Sequence, residues 1–243
     1  MKKRLEDYIE KIKHLPLKTK YTKEDLFIED FLIDSYKNLK IYYTPHNEYI
    51  NKNAKILIVG ITPGFQQMSY SILMARKCIE EKMDIERIKY LCKLAGRLSG
   101  GIRKNIIQMF DEIKLNEAIG VKSFEDVFNG EDKYIHTTSL VSYPVFQNNK
   151  NYSGHTPKIY KNEFLMKYVY ENFLHEISML KDVLIIPLGK GVEEVISILD
   201  KEGALHNFKI LKGFPHPSGV NAHRYKQLEE NKDSMIRFIK ENL

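Results

Sequence analysis

The stretch Ala54–Gly60, AKILIVG, is aliphatic and β-branched with no polar alternation, and it stops at a glycine. A strand apolar on both faces needs cover above and below, which is the situation of a central strand in a parallel sheet. Asp182–Leu199, DVLIIPLGKGVEEVISIL, reads as strand, glycine turn and helix. Two further strand segments follow the same logic: KYIHTTSLVSYPVF, ending at Pro144, and FKILKGFPHPSG near the C-terminus. Helical spacing of apolar residues predicts helices over Lys3–His14, Lys23–Lys37 (entered through Thr22), about Ser71–Leu91, Gly101–Leu115, Glu163–Leu180 and Arg224–Leu243. Strands alternating with helices predict an α/β fold of three layers, α/β/α, around a mostly parallel four-stranded sheet.

The chain has 243 residues, 43% of them hydrophobic, enough for one sizeable core. No linker composition or internal repeat divides it, so the expectation is one domain over 1–243, with 1–53 as an N-terminal helical extension. The opening MKKRLEDYIEKIKHLP mixes acidic residues into its apolar positions, unlike a signal peptide, and no apolar run reaches membrane-spanning length. A cytoplasmic, monomeric protein is expected. Only Cys78 and Cys92 are present, too few for a disulfide scaffold or a four-cysteine metal site, and no His/Asp/Glu cluster has ligand spacing. Neither metal nor cofactor is expected. Lys plus Arg number 38 against 32 acidic residues, a net charge of +6 that permits a nucleic-acid partner without requiring one.

In open α/β sheets, ligands bind outside the carboxyl ends of the strands. Three unusual loops fall there: GITPGFQQ after the first strand, the stretch after TTSLVSY, and HPSGVN after the last. In GFPHPSGVN, Pro215 and Pro217 restrict the backbone on either side of His216, so that the turn aims its imidazole.

VGITPG (Val59–Gly64) and HPSGVN (His216–Asn221), in that order at strand ends, resemble the uracil-DNA glycosylase superfamily. LIIPLGKGVEEVI and GGIRKNIIQMFDEIKL are similar to that family's penultimate strand and to the helix after its first motif. The likeness spans roughly residues 54–237. It implies hydrolysis of the N-glycosidic bond of a pyrimidine flipped out of DNA, leaving an abasic site, in base-excision repair or in defence against modified foreign DNA. By this resemblance His216 donates a hydrogen bond to the departing base, and Thr62 holds the attacking water. Gly60, Ile61, Pro63 and Gly64 form the base pocket with Thr138, Ser139 and Asn221. Phe65 or Met68 supplies a stacking wall, unless Phe65 is a core aromatic. Ser218 and Gly219 hold a phosphate, with Lys150, Lys158 and Arg224 on the DNA. Basic and aromatic residues interleave in QNNKNYSGHTPKIYK, which suits distorted or single-stranded DNA. Asn221 either contacts the base or caps the last helix. Gly189 and Gly191 read as turn glycines, and His46 and His136 as structural histidines.

Two departures from the family pattern matter. Better-known branches place Asp or Asn where this chain has Thr62, and a threonine cannot act as a general base near neutral pH. The middle strand offers Thr137, Thr138 and Ser139 in place of an Asn that reads uracil. Small hydroxyl residues there would suit a pyrimidine with a larger or modified 5-substituent. The alternative to an enzyme is a DNA-binding module on the same fold that senses a base without cleaving it.

Overall fold

The structure is a computed structural model and describes residues 3–98, 100–129 and 132–243. Strands in chain order are β1 (Leu32–Tyr36), β2 (Leu39–Tyr42), β3 (Ile56–Gly60), β4 (Ile135–Ser139), β5 (Val145–Gln147), β6 (Lys150–Asn151), β7 (Leu184–Pro187) and β8 (Lys209–Ile210). The main helices are α1 (Phe65–Glu80), α2 (Ile85–Gly96), α3 (Gly100–Glu112), α4 (Phe124–Asn129), α5 (Glu163–Tyr168), α6 (Lys190–Lys201) and α7 (Arg224–Asn242).

The expected parallel sheet is present, in the order β4-β3-β7-β8. Its strands are apolar on both faces because there are two cores. Leu57, Val59 and Ile185 pack with Met68 and Ile72 of α1 and Val192 and Ile196 of α6. Ile56, Ile58, Ile135, Leu184 and Ile186 pack on the other face with Ile106 and Phe110 of α3, Phe124 of α4 and Leu228 of α7. Fully burying each such side chain contributes about 1.5–3 kcal/mol, so the alternation along β3 holds helices to both faces.

A second sheet, β1-β2-β5-β6, is antiparallel and was not foreseen. It corrects two expectations. The predicted helix over Lys23–Lys37 is a short helix at Lys23–Leu26 followed by β1, so residues 1–53 are not a helical extension. Leu32, Ile33 and Tyr36 fit helical spacing, but the chain reverses at Lys37–Asn38, where Lys37 adopts φ 54°, and Tyr36 pairs with Leu39. Likewise the polar loop after Phe146 is in part a hairpin, with Phe146 opposite Asn151. The predicted helix over 71–91 is two helices. Lys82 takes φ 54° between them, and Asp84 caps α2 by accepting the Arg87 N–H at 2.9 Å. Among the described residues no helix is long and apolar enough to cross a membrane.

Candidate functional site

The carboxyl ends of β3, β4, β7 and β8 open on one cavity of about 970 Å³. Gly60, Ile61, Thr62 and Gly64 line it from the turn after β3, and Thr137, Thr138 and Ser139 from β4. Gly189 borders it after β7, and His216, Ser218 and Asn221 border it after β8. The two motifs, more than 150 residues apart, therefore face one hollow.

The first turn is held by its own polar groups. Thr62 Oγ1 donates to the Tyr143 carbonyl at 2.7 Å and accepts the Val145 N–H at 3.0 Å, tying the turn to the start of β5. Its proton is engaged, so the expected water-holding role is left a single lone pair. Gly64 N–H donates to Gln67 Oε1 at 3.0 Å, and Phe65 N–H donates to Asn151 Oδ1 at 3.0 Å. Pro63 is buried beneath the turn and does not line the cavity.

Neither Phe65 nor Met68 forms the expected wall, because α1 begins at Phe65 and turns both side chains away. Met68 is fully buried in the core. Phe65 meets Phe27 edge-on, with ring centroids 5.7 Å apart, and also packs near Phe146. The aromatic rings that do border the cavity are Phe214 and Tyr152. Phe214 immediately precedes Pro215, the one sequence signal that pointed to it.

His216 is half-buried and held from three sides. Gly189 adopts φ 86°, and a Cβ there would stand 2.8 Å from the His216 Cβ. Only glycine fits both the backbone and the space. Gly189 N–H also donates to the Phe214 carbonyl at 3.0 Å. Asn105 of α3 donates through Nδ2 to the Pro217 carbonyl at 2.7 Å, and Asn221 Nδ2 donates to the His216 carbonyl at 3.2 Å. The Ser218 N–H donates to His216 Nδ1 at 3.2 Å. Burial, and then the charge of nearby His155, hold the His216 pKa below the ordinary histidine value. The ring is thus neutral at pH 7. With Nδ1 accepting, its proton sits on Nε2, which can donate to an acceptor in the cavity.

Other expectations are corrected in place. Asn221 does not cap α7, which starts at Arg224 behind His223; its side chain bonds back to His216 and to Gln227. Ser218 Oγ accepts the Val220 N–H, and Gly219 is exposed. Arg224 turns onto the Asn221 carbonyl and stacks over Tyr225 at 4.7 Å, away from the cavity. Lys158 pairs with Glu194 at 3.1 Å, while Lys150 is exposed on the rim hairpin. Tyr152 is buried, so it is not a free stacking platform. The loop beside it is docked on the first turn: Gly154, at φ 81°, lies against Ile61, and a Cβ there would come within 2.7 Å of Ile61 Cδ1. Val220, 95% exposed, projects from the last turn beside the cavity, a feature composition could not reveal.

No protein-family model matches the chain. A solved structure of SMUG2 from Pedobacter heparinus is similar over 94% of this chain and 95% of that one, with 14% identity and a TM-score of 0.45. The uncharacterized protein YoxB of Bacillus subtilis (strain 168) is 39% identical over 237 residues, covering 97% of this chain and 92% of YoxB. Identity of that extent over nearly the whole chain means that the chain belongs to the same family as YoxB.

Proposed function

We propose that the protein is a monofunctional DNA glycosylase that hydrolyses the N-glycosidic bond of an extruded pyrimidine and leaves an abasic site. Breaking that bond leaves positive charge on the sugar and sends an electron pair onto the base. The observation that carries the reading is His216, whose Nδ1 accepts the Ser218 N–H and so leaves Nε2–H as a donor, on a cavity that Gly60, Ile61, Thr62 and Gly64 also line. A donor aimed where anionic charge develops is worth about 2.7–4 kcal/mol in analogous sites. Gly60 and Gly64 bring the first turn's backbone close to the base without side chains in the way. The exposed Val220 suits an apolar wedge pushed into the base stack, the kind of insertion that kinks and unstacks DNA. Lys150 and the exposed turn at Ser218–Gly219 suit phosphate contacts, which position a strand without reading it.

The test is incubation of the protein with single-stranded and duplex oligonucleotides bearing uracil or 5-modified pyrimidines, followed by mass spectrometry of the released base. Release by the wild type and its loss in His216→Ala support the proposal; equal release from both removes His216 from the chemistry.

One observation favours a second reading, a base-sensing module without cleavage. Thr62 is engaged by Tyr143 and Val145, and no carboxylate stands in the first turn to activate water. General-base help is typically worth 10²–10⁴-fold, so the glycosylase reading requires that the cationic sugar accept a weakly activated water. Saturable, salt-sensitive binding of base-modified DNA with no abasic product at any time is the result that selects the module.

A further inference from the structure

A loop outside both motifs brings a second histidine to the cavity. His155 lines the hollow together with His216, is exposed at its rim, and has no hydrogen-bond partner for its ring among the described residues. The two rings are near enough that charge on His155 lowers the pKa of His216.

The loop that carries His155 is fastened. Gly154, at φ 81°, leaves no room for a side chain where Ile61 packs, so the loop is seated on the turn after β3. His155 is the next residue after Gly154, as Thr62 is the next after Ile61. The Tyr152 N–H donates to the Val145 carbonyl at 3.0 Å, and the Tyr152 hydroxyl donates to the Pro157 carbonyl, which closes the loop across His155. Tyr152 and Ile159 are buried on either side. A ring presented on such a backbone loses little freedom when it meets a ligand.

Hydrolysis calls for a proton acceptor, and other polar groups on the cavity are occupied. The Thr62 hydroxyl donates to the Tyr143 carbonyl, and a hydroxyl is not a base. His216 Nδ1 accepts the Ser218 N–H, which leaves the proton on Nε2. Glu193 Oε2 accepts the Gly213 N–H at 2.7 Å. Glu193 and Glu230 reach the cavity from α6 and α7, whereas the His155 loop sits on the turn that holds Thr62.

We propose that His155 is the general base: its unprotonated ring nitrogen takes a proton from the water that attacks the sugar C1′. This rests on the glycosylase reading above. The base enters the buried part of the cavity, so its sugar stays at the rim, where the His155 ring stands. As the water oxygen bonds to C1′, the bond from C1′ to the base breaks and its electron pair leaves on the base, met by His216. The proton on His155 then passes to the released base or to solvent, which restores the ring. Imidazole is the side chain that most often takes this part.

The experiment measures base release in single turnover with saturating full-chain protein, on the uracil and 5-modified pyrimidine oligonucleotides described above. His155→Ala should lower the rate by about 10²-fold or more. His155→Gln should be no faster, since an amide is not a base, and Glu230→Gln should keep the wild-type rate. Affinity for the 2′-fluoro form of the same oligonucleotide, which resists cleavage, should not change. Imidazole added to the buffer should return part of the rate to His155→Ala and add nothing to the wild type. A His155→Ala protein that releases base at the wild-type rate, or a loss that saturating imidazole leaves untouched, overturns the assignment of His155 alone. So does a loss that lies wholly in weaker binding and disappears at saturation, the mark of a phosphate contact. A wild type that releases no base from any of these oligonucleotides overturns the glycosylase reading, and this proposal with it.

Discussion

The two turns that face the cavity are built from similar residues and differ in what they leave unbonded. Each follows a parallel strand, and each carries proline and glycine. In the turn after β3, the Thr62 hydroxyl and the N–H groups of Gly64 and Phe65 all bond to other parts of the chain. In the turn after β8, the backbone braces one imidazole and leaves its second nitrogen without a partner among the described residues. A turn whose hydroxyl and helix-side N–H groups are engaged in this way is a wall. A turn that isolates one donor is where chemistry can be placed.

The contrast breaks most visibly at His216. His216→Ala should cut base release by about 10²–10³-fold while hardly moving the thermal unfolding midpoint, since the ring is half-buried and has one weak bond. Gly189→Ala comes next. A methyl group at φ 86° and 2.8 Å from the His216 Cβ should cost about 2–3 kcal/mol of stability. It should also lower release by displacing the imidazole, so both unfolding and activity should change. Thr62→Val removes two hydrogen bonds from the wall. Its expected cost is about 1–2 kcal/mol in chemical denaturation, with release falling less than tenfold and Thr62→Ser behaving like wild type. A Thr62→Val protein of native stability that releases no base would instead make the first turn chemical and erase the contrast.

Two smaller effects sharpen it. Glu48 lies behind the wall, accepting the Leu5 N–H at 2.8 Å and the Tyr43 hydroxyl at 2.6 Å, and burial raises its pKa to about 7. Since 7 is above the ordinary carboxylate value near 4.5, the folded state holds the proton more tightly. The contribution of this group to stability is therefore greatest below pH 4.5 and falls as pH rises through 7. Unfolding free energies of wild type and Glu48→Gln should diverge progressively across that window, the variant losing the slope. Lys150→Ala on the rim should weaken DNA binding two- to threefold and reduce its dependence on salt by about one counterion, leaving base preference untouched.

Much of the layered architecture was legible because it follows from local pattern. AKILIVG and DVLIIP are apolar on both faces and end in turns, and that alone calls for two cores. The hairpin of β1 and β2 was hidden because Leu32, Ile33 and Tyr36 satisfy a helical period as well as a strand, and the reversal at Lys37 uses no glycine. At the site, His216 was legible since its prolines are its neighbours in sequence. The Thr62 partners are 81 and 83 residues away, and the Gly189 contact with His216 crosses from one strand end to the next, so neither left a local mark. For Phe65 the sequence leaves wall and core both open, because the direction of a side chain depends on where a helix begins, and here α1 begins on that residue.

The Ser218 amide has a consequence for how this protein can vary. The choice between the two neutral forms of the His216 ring is made by a main-chain group, which every amino acid except proline possesses. Position 218 can therefore drift through many side chains without moving the imidazole hydrogen to the wrong nitrogen, and proline is the replacement that would set it loose.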